Sequence, residues 1–260
     1  MKICRFKDPE TQRPRFGMIE DGAVYVLTGE LSDENLSVGE TKPVVRLEEA
    51  RLLAPVEPSK VVCVGRNYRE HAAELGNSMP SEPLLFLKAP SAIVGQGDTI
   101  ELPVQSERVE HEGELAVVIG RRCRAVRDDE DPLSYVLGYT CVNDVTARDL
   151  QRRDVQFTRA KSFDTFCPVG PYVVTGLDPT DLRVETRVNG DVRQSGRTSA
   201  MAFPVPFLIR YISNVMTLNP GDLISTGTPA GVGPLLDGDA VEVEVEGIGM
   251  LRNHVKSLKK

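Results

Sequence analysis

The sequence predicts a β-rich α+β fold. Short apolar runs alternate with polar residues, as in 240–246 (AVEVEVE), the period of a half-buried strand. Asp21-Gly22 and Asn189-Gly190 stand between such runs, where a two-residue hairpin turn needs positive φ. Helical stretches are few and do not alternate with the strands, which argues against a doubly wound sheet.

In chain order, residues 15–19 and 23–27 form a hairpin about Asp21-Gly22. Residues 28–46 are polar and read as loop, and 54–58 (APVEP) reads as a stiff linker. A small N-terminal β domain is expected over residues 1–57 and a larger domain over 58–260. Residues 61–64 (VVCV) read as a buried strand. Asn67 reads as the N-cap of a helix, with Glu70 at capping-box spacing and Gly76 as its stop. Strands follow at 84–88, 100–103 and 115–119 (LAVVI). Residues 128–137 read as a helix leading to a strand at 138–142, and 146–153 as a polar helix. Residues 170–174 read as a strand, and 184–192 as a hairpin. An amphipathic helix spans 206–216, and 219–222 turn into a strand at 223–226. Two last strands, 240–246 and 250–255, flank a turn at 247–249.

A chain of 260 residues can bury a large core. Its net charge of −7 gives nucleic-acid binding no electrostatic support. No apolar run reaches the roughly 20 residues of a membrane span, and the first residues lack a signal peptide's apolar core. The five cysteines are scattered and odd in number, with no C-x-x-C. A reduced, cytoplasmic protein with buried thiols is expected, with Cys167 a core thiol rather than a nucleophile. Neither G-K-[ST] nor G-x-G-x-x-G occurs, so nucleotide binding is poorly supported.

Glu112 and Glu114 head the apolar run at 115–119, and alternation puts both on one strand face. Two like charges so close raise each other's pKa unless a cation or a shared proton offsets them. Asp144, at the end of another strand, would complete an oxygen-only site suited to Mg²⁺, Mn²⁺ or Ca²⁺ rather than zinc. Taken alone, the pair also reads as the wet edge of a strand. His71 and Glu74 lie three residues apart on a helix face, so a carboxylate can orient the imidazole as a base. Lys161 is a candidate for stabilising a developing oxyanion, and the glycine-rich stretch 226–233 for wrapping substrate oxygens. His111 is read as a polar filler or a neighbour supporting Glu112, and His254 as a filler.

The segments 64–68 (VGRNY), 112–115 (EGEL), 138–140 (GYT), 143–149 (NDVTARD), Lys161 with 163–168 (FDTFCP), and 226–233 (TGTPAGVG) together resemble the fumarylacetoacetate hydrolase family. The likeness runs from residue 58 to near the C-terminus. It implies a mixed β-sandwich roll that often dimerises, preceded by the small N-terminal β domain of bacterial members. It implies Mg²⁺ or Mn²⁺, with Ca²⁺ as a substitute, on Glu112, Glu114 and Asp144. It also implies His71 and Glu74 as a water-activating dyad and Lys161 beside the metal. Arg148 and Gln151 would face a small 2-oxo acid, and Thr228 would help close the pocket. His111, Ser162 and His254 depart from residues common at those positions.

On that basis the chain is expected to be a metal-dependent hydrolase cleaving a C–C bond in acylpyruvate-type 2,4-dioxo acids. Isomerisation of 2-hydroxyhepta-2,4-diene-1,7-dioate, or decarboxylation of hydroxymuconate-type diacids or oxaloacetate, is the alternative. A non-catalytic binding module or a calcium-stabilised structural domain stands further off.

Overall fold

A computed structural model describes residues 1–29, 31, 37–39 and 42–258. Among these, three sheets account for most of the regular structure, with four short helices: α1 (Arg69–Glu74), α2 (Arg148–Arg153), α3 (Thr158–Lys161) and α4 (Val205–Val215). The fold is mixed and sheet-rich, as the alternating runs predict. No helix of the described residues is long and apolar enough to cross a membrane.

The largest sheet runs Ala23–Thr28, Pro14–Glu20, Lys2–Lys7, Cys167–Val174, Val136–Asn143, Gly113–Ile119, Leu223–Ser225, Val61–Gly65, Leu84–Lys88, with short strands at its margins. The expected hairpin at Asp21-Gly22 forms, both residues having positive φ. The N-terminal strands continue the sheet of the remaining chain, because Lys2 and Ile3 pair antiparallel with Val174 and Val173. The stretch expected to be a stiff linker is docked: Val56 is buried, and Leu53 just before it pairs with Arg5. Of the loop expected at 28–46, residues 30, 32–36, 40 and 41 lie outside the described residues; two-residue strands stand at Ser37–Val38 and Val45–Arg46.

A second sheet, Thr99–Leu102, Gly249–Ser257, Ala240–Val245, Arg183–Val188 and Asp191–Arg197, packs over the first. Asn189 and Gly190 both take positive φ in its hairpin. A third, small sheet joins Thr146–Ala147, Val109–His111 and Gly233–Pro234. Helix α4 matches its predicted span within a residue. Val205, Leu208, Ile209 and Ile212 form its buried stripe, each such side chain contributing about 1.5–3 kcal/mol of burial.

Three local expectations are corrected. Residues 128–137 do not form a helix: Asp131 caps a 3₁₀ turn at Pro132–Tyr135, and the β-favouring Val136 that follows opens the strand Val136–Asn143. Helix α2 begins only at Arg148, because Thr146 and Ala147 pair with Glu110 and Val109. Asn67 does not cap α1, whose N-cap is Tyr68. Its buried amide instead donates to Phe203 O (3.0 Å) and Thr226 O (2.7 Å) and accepts from Phe203 N (2.8 Å). The stop at Gly76 is as expected: φ is +69°, Asn77 N donates to Ala72 O, and Gly76 N to Ala73 O.

Candidate active site

The strand Gly113–Ile119 runs through the centre of the molecule, with every residue buried. Ala116 and Val118 enter one apolar cluster; Leu115, Val117 and Ile119 enter another. The two-residue period therefore puts Glu112 and Glu114 on the face of Ala116 and Val118. Gly113 separates them because the second sheet passes directly over it: a Cβ there would stand 2.0 Å from Thr186 Oγ1. Glu112 lies in the break between two strands, where its N–H donates to Asn143 Oδ1 (2.9 Å) and its carbonyl accepts from Asp144 N (2.8 Å). That pair of bonds brings Asp144 beside the glutamates. Glu112, Glu114 and Asp144 are all buried, with one oxygen from each within 4.8 Å of the others.

Two ammonium groups balance the acids. Lys161 Nζ donates to Glu112 Oε2 and Asp144 Oδ2, both at 2.7 Å. Lys88 Nζ donates to Asp144 Oδ1 (2.6 Å) and Val145 O (3.1 Å). Burial pushes the Glu112 carboxyl up, but Lys161 and Arg148 together outweigh it and hold it well below the usual range. Glu114 has no such partner. Burial and the charge of Asp144 push it up to about 8, against hydrogen bonds from Ser225 and Gly227 N (2.8 Å). Lys161 is buried yet raised above its ordinary value, because Asp144 and Glu112 outweigh desolvation.

His71 Nδ1 stands 3.4 Å from Glu74 Oε2, as the helical spacing predicts. Both Glu74 oxygens also accept from Gly231 N at 3.1 Å, which ties the dyad to the glycine-rich loop. Thr228 Oγ1 donates to Gly113 O (2.9 Å) and accepts from Gln194 Nε2 (2.7 Å). Arg148 spends its guanidinium on Glu110, Glu112 and Gln151, while also facing the cavity. That cavity, of ≈ 270 Å³, is lined by every site residue expected from sequence except Glu74, which stands behind His71.

Lys88, Glu110, Gln194 and Ser225 were not expected. Glu110 had a signal: it precedes Glu112 by the same two-residue step as Glu112 precedes Glu114. Lys88 shares a strand face with Phe86, but a lysine ending an apolar run ordinarily points to water. Gln194 and Ser225 carry no local signal. The three departures sit as follows. His111 Nδ1 is 3.0 Å from Gln194 Oε1; since Gln194 donates through its nitrogen, that oxygen accepts and His111 Nδ1 carries the proton. Ser162 Oγ accepts from Ala89 N (3.0 Å), a bond glycine would not supply. His254 is exposed. Cys167 is a buried core thiol pushed up to about 12 by burial, and all five cysteines are buried and free.

The donor set fits a hard divalent cation. All three groups are carboxylates, and both hydrogen bonds to Glu114 fall on Oε2, leaving Oε1 for a ligand. The family described as "Fumarylacetoacetate (FAA) hydrolase C-terminal" matches residues 60–256, and "Rv2993c-like, N-terminal" matches residues 1–55. The chain belongs to the fumarylacetoacetate hydrolase family. Among its relatives, a 5-carboxymethyl-2-hydroxymuconate delta-isomerase from Mycobacterium smegmatis is 46% identical, with a TM-score of 0.89 over 99% of this chain and 100% of that one. The oxaloacetate tautomerase YisK of Bacillus subtilis is 45% identical over 224 residues, 80% of this chain and 74% of that protein. A fumarylacetoacetate hydrolase from Exiguobacterium antarcticum is 42% identical, with a TM-score of 0.85 over 99% of each chain. The family's enzymes commonly use divalent metals, and here the buried acidic triad is where one would sit.

Proposed function

We propose that the protein is a divalent-cation-dependent isomerase of small enolisable 2-oxo acids, moving a proton between carbon and oxygen or along a conjugated chain. One observation carries this: a base held by a carboxylate, His71 with Glu74, faces the same cavity as the acidic triad and Lys161. Those are the parts needed to remove a proton beside a carbonyl and to stabilise the enolate that results. Two of the relatives above are named as an isomerase and a tautomerase, and over the same 99% of this chain the isomerase is slightly more similar to it than the relative named as a hydrolase. Comparison thus favours the isomerase alternative over the C–C hydrolysis expected from sequence.

Glu112, Glu114 and Asp144 would hold the cation, which when bound supplies Lewis-acid polarisation of the 2-oxo carbonyl. His71, its ring set by Glu74, takes the proton from the carbon next to that carbonyl and returns it at the new position. Lys161 lies on the triad and offers positive charge to the enolate oxygen. Thr228, clamped by Gln194, and Gln151 fix the substrate's orientation.

Hydrolysis is the second reading, favoured by the same His71–Glu74 pair, which could set a water for attack. One assay separates the two. Oxaloacetate, 2-hydroxyhepta-2,4-diene-1,7-dioate and an acylpyruvate are incubated with enzyme and Mg²⁺ in D₂O and followed by proton NMR. The proposal expects rapid deuterium uptake or double-bond migration with the carbon chain intact. Cleaved acylpyruvate without proton exchange in the other two would establish hydrolysis instead.

A further inference from the structure

The cations facing the cavity divide into two kinds. Lys161 and Arg148 are consumed by carboxylates. Arg66 and Arg152 also line it, yet neither side chain makes a hydrogen bond or ion pair among the described residues. Arg66 is half-buried at the end of the strand Val61–Gly65, and Arg152 is exposed on α2.

Arg66 is also held in a costly backbone state, φ +59° for a residue with a Cβ. The next residue enforces it. Asn67 is fully buried, its amide is bonded to Phe203 and Thr226, and its Cβ packs on Gly227 so closely that a Cβ there would stand 2.7 Å away. A strained arginine, fixed beside a cavity and given no protein partner, lacks an anion. Glu110, Glu112, Glu114 and Asp144 are matched in number by Lys88, Arg108, Arg148 and Lys161, so this group holds no surplus carboxylate for Arg66 or Arg152.

We infer that Arg66, with Arg152 on the lining of the same cavity, binds a second carboxylate of the substrate, so that the enzyme selects 2-oxo dicarboxylic acids over monoacids of equal chain length. This rests on the proposed 2-oxo acid isomerase and deepens it. Neither residue moves a proton; both set specificity.

The test is calorimetric binding of two non-isomerising ligands, 2-oxoglutarate and 2-oxopentanoate, to the full chain with Mg²⁺. A fixed cation–carboxylate pair in a partly enclosed site is expected to favour the diacid by about tenfold or more. Arg66→Gln and Arg152→Gln should each lower that ratio, and the double variant should bring it near one. Arg152 is exposed on a helix, so its substitution leaves folding intact, and Arg66→Lys should recover part of the preference. Equal affinities in the wild-type chain, no detectable binding of either ligand, or a ratio unmoved in both variants overturns the inference. The NMR assay reads separately. Diacid preference without isomerisation would sink the proposed reaction and leave the arginines' role standing; isomerisation without preference would do the reverse.

Discussion

Glu114 is the residue on which pH acts most visibly. Its folded pKa near 8 lies above its ordinary value of 4.5, so between them the native state holds an extra proton. Through this group stability falls as pH rises from 4.5 towards 8. Glu112 acts the other way: its depressed pKa contributes stability present above its ordinary value and lost as pH falls through the folded one. A cation must displace the Glu114 proton, so Mn²⁺ affinity should rise about tenfold per pH unit below about 8 and level off above it. Calorimetry across that range checks this, and a flat profile contradicts it. Lys88 is a partner of the triad in its own right. Lys88→Met leaves Asp144 short of a buried counter-charge and should lower metal-free stability by about 3–5 kcal/mol in urea titrations; an unchanged midpoint would deny it that role. His71→Ala should reduce turnover about 10²–10⁴-fold while calorimetric metal binding persists.

At the scale of elements, the site depends on where two strands are interrupted. Gly113 lets the second sheet pass close over the strand on the face opposite the two acids. Gly113→Ala drives a methyl into Thr186, and the overpacking should cost about 1–3 kcal/mol and weaken metal binding, read by denaturation and by Mn²⁺ titration. Wild-type stability and affinity in that variant would show that the crossing is looser. The hairpins at Asp21-Gly22 and Asn189-Gly190, helix α4 and the alternating strand at 240–246 were legible because each is specified by local chemistry. Asn67 and residues 128–137 were misread because their partners are remote. Asn67 is drawn to Phe203 and Thr226, and the strand Val136–Asn143 to its neighbours in the sheet. The triad itself was legible from E-x-E and the segment NDVTARD. Its counter-cation Lys88 was not, since nothing in a lone lysine says which carboxylate it will meet across the sheet.

For the whole molecule, the N-terminal strands are part of one continuous sheet, and Ile3, Leu27 and Val56 belong to the same apolar cluster as Val118 and Phe166. We expect residues 58–260 expressed alone to melt at lower temperature and to aggregate through the uncovered edge of Cys167–Val174. A fragment as stable and monodisperse as the full chain would mark two independent domains. A homodimer remains our proposal for the solution state, and light scattering should return twice the chain mass. Three carboxylates, two at the head of one strand and one just past the end of its neighbour, are proposed to hold one divalent cation in the cavity. Titration of the wild-type chain and of Asp144→Asn with Mn²⁺, read by calorimetry, tests it directly. The expected result is one site per wild-type chain and its loss or severe weakening in the variant. Equal binding by both proteins, or none by the wild-type chain above its Glu114 titration, would contradict it.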